Sequence, residues 1–185
     1  MSSHSKNFVS RYFGFINKAI STVDPDVLER IVCNVEDTKK NYGKVILVGN
    51  GGSAAMASHV SVDLTKVSGV RAINFNEADL LTCFANDYGY ENWVQKAIEF
   101  YADKNDLIIL ISSSGKSLNI INGANKAREM GLFVVTLSGF APDNSLRKLG
   151  DVNLWCDSES YNVVEMSHHI WLLAIVDLLA ERRFS

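Results

Sequence analysis

Apolar positions at the start of the chain recur at helical spacing. Phe8, Tyr12, Phe15, Ile16 and Ile20 predict a helix over about residues 8–21, and Val27, Leu28, Ile31, Val32 and Val35 a second over 26–42. The pattern then changes. Lys44-Val45-Ile46-Leu47-Val48 is a short, continuous apolar run of the kind that forms a strand buried on both faces, and a glycine turn, Gly49-Asn50-Gly51-Gly52-Ser53, follows it. Four more such runs occur, at 72–75, 106–111, 133–137 and 152–155, and they alternate with helical patterns at 54–66, 77–84, 91–101, 117–130 and 162–182. Strands that are apolar throughout, alternating with helices, predict an α/β fold: a three-layer αβα sandwich around a mostly parallel sheet, preceded by two N-terminal helices. The final helix is apolar around most of its circumference through Ile170, Leu172, Leu173, Ile175, Val176, Leu178 and Leu179. A helix of that kind is expected in a core or an interface. Trp93 and Trp171 are read as packing residues.

Length and composition narrow the partners. The 185 residues, 47% of them hydrophobic, suit one domain over 1–185 with a sizeable core, and no linker or repeat divides them. A formal net charge of −3 gives no positive field for nucleic acid, which is not expected as a partner. Cys33, Cys83 and Cys156 are odd in number and scattered, and read as reduced thiols. The N-terminus has no apolar leader core, and no stretch approaches the roughly 20 apolar residues of a membrane span. No membrane partner and a cytoplasmic location are expected.

Two strand-to-helix junctions carry the candidate chemistry. Gly51 and Gly52 let a ligand approach the backbone closely, and Ser53 is placed to cap the following helix. The second junction, Ser112-Ser113-Ser114-Gly115-Lys116-Ser117, offers four hydroxyls at the start of a helix, where the helix dipole favours an anion. One serine is explained by capping alone, but four serines and a glycine in six residues exceed what one cap needs. Neither loop is a nucleotide motif: GNGGSA is not GxGxxG, and SSSGKS lacks the first glycine of the P-loop. No nucleotide cofactor is expected. The anion most consistent with this turn is a phosphate.

The GNGGSA turn, Asn86-Asp87-Tyr88-Gly89-Tyr90 and ISSSGKSLNII with its following KAREMGLFVVTLSG resemble the sugar isomerase (SIS) domain, and within it the phosphoheptose isomerases. The resemblance runs over nearly the whole chain. It implies an SIS-type fold with a five-stranded parallel sheet, and a homotetramer, at least a dimer, in which the N-terminal helices (1–42) pack together. It also implies a substrate site made of Asn50, Gly51, Gly52, Ser53, Asn86, Asp87, Ser112, Ser113, Ser114 and Ser117. The implied activity is aldose–ketose isomerisation of sedoheptulose 7-phosphate through an enediol, in the service of lipopolysaccharide or capsule heptose synthesis.

The resemblance also implies acid/base or zinc-holding groups on two helices, and here the chain departs from the pattern. His59 stands in the family's histidine position and Asp63 in its glutamate position, four residues apart on one helical face. On the last helix Glu165 falls at the family's glutamine and Leu173 at its histidine. His168 and His169 are the candidates to replace that histidine, and His169 lies four residues from Glu165. The expectation is therefore Asp63, Glu165 and His169 as catalytic groups, Glu165 also touching substrate, and His59, Asp63, Glu165 and His169 as a zinc set. The departures keep two alternatives open. One is a non-catalytic SIS module that binds a sugar phosphate or a protein partner, as in the DnaA initiator-associating type, and the other is a related enzyme with a different substrate.

Overall fold

The computed structural model describes residues 3–184. The two leading helices are α1 (Ser3–Ile20) and α2 (Pro25–Lys40), the latter opened by Asp24, whose carboxylate accepts from the Asp26 amide, with Pro25 at the first turn. Then follow β1 (Val45–Gly49), α3 (Gly52–Lys66), β2 (Ala72–Asn74), α4 (Ala78–Tyr88), α5 (Trp93–Tyr101), β3 (Leu107–Ser112), α6 (Leu118–Glu129), β4 (Phe133–Ser138), a 3-10 turn at Arg147–Leu149, β5 (Val152–Trp155) and α7 (Tyr161–Phe184). The strands form one parallel five-stranded sheet in the order β2-β1-β3-β4-β5.

The apolar strand runs divide by parity, which is why they are apolar throughout. Val45, Leu47, Leu107, Ile109, Ile111, Val135 and Leu137 pack under α2, α3 and α7, while Ile46, Val48, Ile108, Leu110 and Val134 pack under α5 and α6. Trp93 and Trp171 are core residues, 1% and 2% exposed, and the Trp171 indole donates to the Ile20 carbonyl, tying α7 to the end of α1.

Local chemistry adjusts the predicted boundaries. The first strand starts at Val45 because Lys44 is occupied at the sheet's edge: its ammonium lies 2.6 Å from Asp106 and 2.7 Å from Asp103. The second stops at Asn74 and not at Phe75, because the Asn74 side chain accepts from the Asn76 amide and turns the chain. The stretch Tyr161–Arg183 of α7, with hydropathy 1.5, does have the length and composition of a membrane-crossing helix, contrary to the expectation from sequence. Half of its most apolar window is buried inside the domain, where α7 packs on α1, α2 and α3, so its apolarity is that of a core helix.

Strand order fixes where a ligand can bind. The chain leaves β1 toward β2 on one side and returns to β3 on the other, so the connections diverge between β1 and β3. A crevice opens beyond the carboxyl ends of strands at such a point. Both candidate junctions lie there, since Gly49 ends β1 and Ser112 ends β3.

Candidate functional site

At that crevice a cleft of about 130 Å3 is lined by Asn50, Ser53, Ile111, Ser112, Ser113, Ser114, Ser117, Tyr161 and Glu165. The serine turn is held rigidly. Gly115, at φ +64, makes the αL step, and Asn144 packs against it so closely that a Cβ there would lie 2.0 Å from the Asn144 Oδ1. Asn144, 3% exposed, donates to Ser138 Oγ at 3.0 Å and to the Ala141 carbonyl at 2.9 Å, and accepts from the Arg147 amide at 2.9 Å. The Gly139 amide donates to the Ser113 carbonyl and the Leu146 amide to the Gly115 carbonyl, so the β4–β5 connection clamps the turn from behind.

The hydroxyls are not spent on helix capping. Ser117 sits at the N-cap of α6, yet its side chain makes no cap hydrogen bond; its Oγ pairs instead with Ser112 Oγ at 3.0 Å. Ser53 does not cap either, contrary to expectation. Gly51, at φ +55, takes the N-cap of α3, which places Ser53 one residue inside the helix, 3% exposed, with its side chain lining the cleft. Asn50 is fixed by a reciprocal amide pair with the buried Asn119 on α6, at 2.8 and 3.0 Å, and its Oδ1 also accepts from the Tyr90 hydroxyl at 3.2 Å.

Helix α7 supplies the acid. Glu165 reaches across to the first turn of α3, where a Cβ on Gly52 would stand 2.5 Å from Glu165 Oε2, so glycine at 52 is what admits the carboxylate. A negative group is stabilised there by the N-terminal dipole of α3. One turn further along α7 and about two turns further along α3, His59 Nδ1 meets His169 Nε2 at 3.0 Å and His59 Nε2 meets Asp63 Oδ2 at 3.1 Å. With Asp63 ionised and both rings neutral, His59 donates to Asp63 and accepts from His169, which leaves the His169 Nδ1 lone pair available as a base. Burial and the neighbouring His59 hold the His169 pKa below its ordinary value, with Asp63 opposing them, so this ring is neutral at neutral pH.

The adjacent histidine has a different fate. His168 is fully buried, its Nε2 donates to the Ser138 carbonyl at 3.0 Å, and burial drives its pKa down to about 4 against that bond. It is a neutral core residue braced against the end of β4, and His169 is the histidine that faces α3. Leu173 packs against the core.

Several expected site residues lie elsewhere. Asn86 and Asp87 bond to each other at 2.9 Å on the exposed C-terminal end of α4 and do not line the cleft. Gly51 is exposed beside it, as is Lys116. Of the expected zinc set, His59, Asp63 and His169 meet one another while Glu165 stands apart. Among the described residues no three His, Cys, Asp or Glu side chains are arranged to hold a metal ion; His59 uses both ring nitrogens on His169 and Asp63, while Glu165 lies over Gly52. As placed, these residues do not fit a zinc ion. The residues that sequence reasoning passed over are Asn119, Asn144, Tyr90 and Tyr161. They sit outside any phosphate-binding pattern and reach the site only through the fold.

A model of the SIS domain matches residues 11–139. The chain belongs to the SIS-domain family. Among its relatives it is 34% identical over 170 residues to the phosphoheptose isomerase of Aliarcobacter butzleri, covering 89% of each chain. It is 34% identical over 155 residues to the phosphoheptose isomerase of Helicobacter pylori strain HPAG1, covering 80% of each. The solved phosphoheptose isomerase of Neisseria gonorrhoeae superposes with a TM-score of 0.86 over 94% of this chain and 98% of that one, at 24% identity. The matched region of this SIS domain takes in both strand-to-helix junctions, and the likeness in fold covers nearly the whole chain.

Proposed function

We propose that this protein is a phosphosugar isomerase that converts sedoheptulose 7-phosphate to an aldose heptose 7-phosphate through an enediol. The observation that carries the reading is the opposition of two groups across one cleft. On one wall are serine hydroxyls not consumed by capping, and on the other is the Glu165 carboxylate held over Gly52. The names of the relatives support the substrate class.

The phosphate sits on Ser112, Ser113, Ser114 and Ser117 at the positive end of α6, held by hydrogen bonds and the helix dipole. The sugar runs from there past Asn50 and Glu165 toward His169. Glu165 takes a proton from C1 of the ketose while the His169 Nδ1 lone pair, oriented by His59 and Asp63, takes the O1 proton and passes it to the C2 oxygen, giving the enediol in its enediolate form. Glu165 then returns its proton to C2, and the aldehyde forms at C1. Heptose supply for lipopolysaccharide or capsule is the matching role. Assembly into a homotetramer is what the resemblance implies, and an interface on α1 is supported by Phe8, Phe13 and Phe15, all more than half exposed on the single chain.

The test is conversion of sedoheptulose 7-phosphate by purified protein beside Glu165→Gln. The expected result is turnover in the first and a loss of about 10²- to 10⁴-fold in the second, with KM little changed. Binding of the sugar phosphate without turnover by the wild-type protein supports the non-catalytic module instead.

A further inference from the structure

Helix α7 turns one row of side chains toward the site. Tyr161, Glu165 and His169 follow one another at four-residue steps, so they share a helical face at intervals of about 6 Å along the axis. Glu165 and His169 reach α3, whereas Tyr161, the first residue of α7, lines the cleft beside the serines. The serine turn lies between Tyr161 and Glu165. Glu165 stands over Gly52, which follows β1, and Tyr161 packs on Phe140, which follows β4, while the turn follows β3, the strand between those two.

The tyrosine ring is fixed, and its hydroxyl is not used. Phe140 holds the αL conformation, φ +57, which costs a residue with a Cβ about 1–2 kcal/mol. In that conformation its amide donates to the Ser158 carbonyl at 3.0 Å, and its ring meets the Tyr161 ring edge-on, with centroids 4.9 Å apart and planes at 64°. The preceding residue, Gly139, donates its amide to the Ser113 carbonyl at 2.8 Å, so one short segment joins the serine turn to the tyrosine. Backbone strain kept at the edge of a ligand cleft points to a functional placement. Tyr161 is still 58% exposed, and among the described residues its hydroxyl has no hydrogen-bond partner.

Charge decides what that hydroxyl can do. A phosphate monoester carries about two negative charges at neutral pH. The serines hold it from one wall, while on the other wall the Glu165 carboxylate repels it. Of the two α7 side chains that line the cleft, Tyr161 is the one that donates a hydrogen bond, and it does so without a charge of its own.

We infer that Tyr161 is a further substrate-binding residue: its phenolic hydroxyl donates to the substrate phosphate on the side away from Glu165, and its ring walls that end of the cleft. This role rests on the serine turn being the phosphate site.

Calorimetric titration of the full-length protein with sedoheptulose 7-phosphate and with inorganic phosphate tests it, in the wild type, Tyr161→Phe, Tyr161→Ala and Ser114→Ala/Ser117→Ala. Tyr161→Phe keeps the ring and its packing on Phe140, so its thermal midpoint is expected to stay that of the wild type. Its Kd for both ligands rises about tenfold or more, the loss expected of one hydrogen bond to a charged group. If the serine variant weakens both ligands while Tyr161→Phe binds them as the wild type does, the role of Tyr161 is overturned and the phosphate turn stands. A weakening confined to Tyr161→Ala shows a ring that only packs, and overturns the role equally. If no variant changes the affinity, or the wild type binds neither ligand, the assignment of the turn falls and this role with it.

Discussion

Glu165 stands directly over Gly52: a Cβ at 52 would lie 2.5 Å from its Oε2, so the carboxylate reaches α3 only because that residue is glycine. Gly52→Ala therefore displaces Glu165 without touching the serine turn. The expected result is a fall in kcat of about 10²-fold or more, as a small misplacement of a reacting group produces, with sugar-phosphate affinity retained. Kinetics paired with calorimetry checks it; unchanged kcat would remove Glu165 from the reaction.

The serine turn answers to affinity. Replacing Ser114 and Ser117 together by Ala removes two hydroxyls lining the cleft and weakens sugar-phosphate binding by about 1 to 3 kcal/mol. The two hydroxyls do not cap α6 but do bond within the turn, Ser117 with Ser112 and Ser114 with the Lys116 amide, so the variant also loses about 1 kcal/mol of stability per bond. Unchanged affinity in calorimetry sinks the assignment of this turn to the phosphate.

Gly115 carries the shape of that turn. Alanine there meets two penalties, an αL conformation costing about 1–2 kcal/mol and a clash with Asn144, which its own hydrogen bonds hold in place. Gly115→Ala is expected to lower stability by about 2 kcal/mol or more in urea denaturation and to weaken sugar-phosphate binding. Gly131 is the control: it is also at positive φ, but a Cβ there meets nothing within 4 Å, so Gly131→Ala shows the conformational cost alone.

His168 makes stability depend on pH. The folded protein holds it neutral down to about pH 4, whereas the unfolded chain protonates it near its ordinary value of 6.5. Between those limits the unfolded state binds the extra proton, so this contribution is intact above about pH 6.5 and is lost as pH falls toward 4, by roughly 1.4 kcal/mol per unit at most. Urea denaturation at pH 7 and pH 5 measures it. The drop is expected to be smaller in His168→Gln, whose amide still donates to Ser138; an equal drop in both proteins contradicts the assignment.

The strand runs, their parallel pairing and the two ligand junctions were legible in the sequence because each depends on a local pattern: apolar continuity, or glycine and serine after a strand. What escaped depends on contacts distant in the chain. Asn144 works through its bonds to Ser138, Gly139 and Ala141, and against a glycine 29 residues earlier. Asn119 and Asn50 look unremarkable until the fold pairs their amides. Periodicity places His168 and His169 on different sides of α7, but which side faces the core is decided by the Ser138 carbonyl at the end of β4. The capping role read for Ser53 failed by two positions, because Gly51, at φ +55 and ψ −119, a conformation open to glycine, starts the helix earlier.

The measurement closest to the central claim is proton NMR of sedoheptulose 7-phosphate incubated with the protein in D2O. Proton transfer by Glu165 through an enediol predicts a new aldose phosphate carrying deuterium at C2, absent when Glu165→Gln is used. A ketose that remains unconverted and undeuterated at C1, while still binding to the protein, would contradict the account.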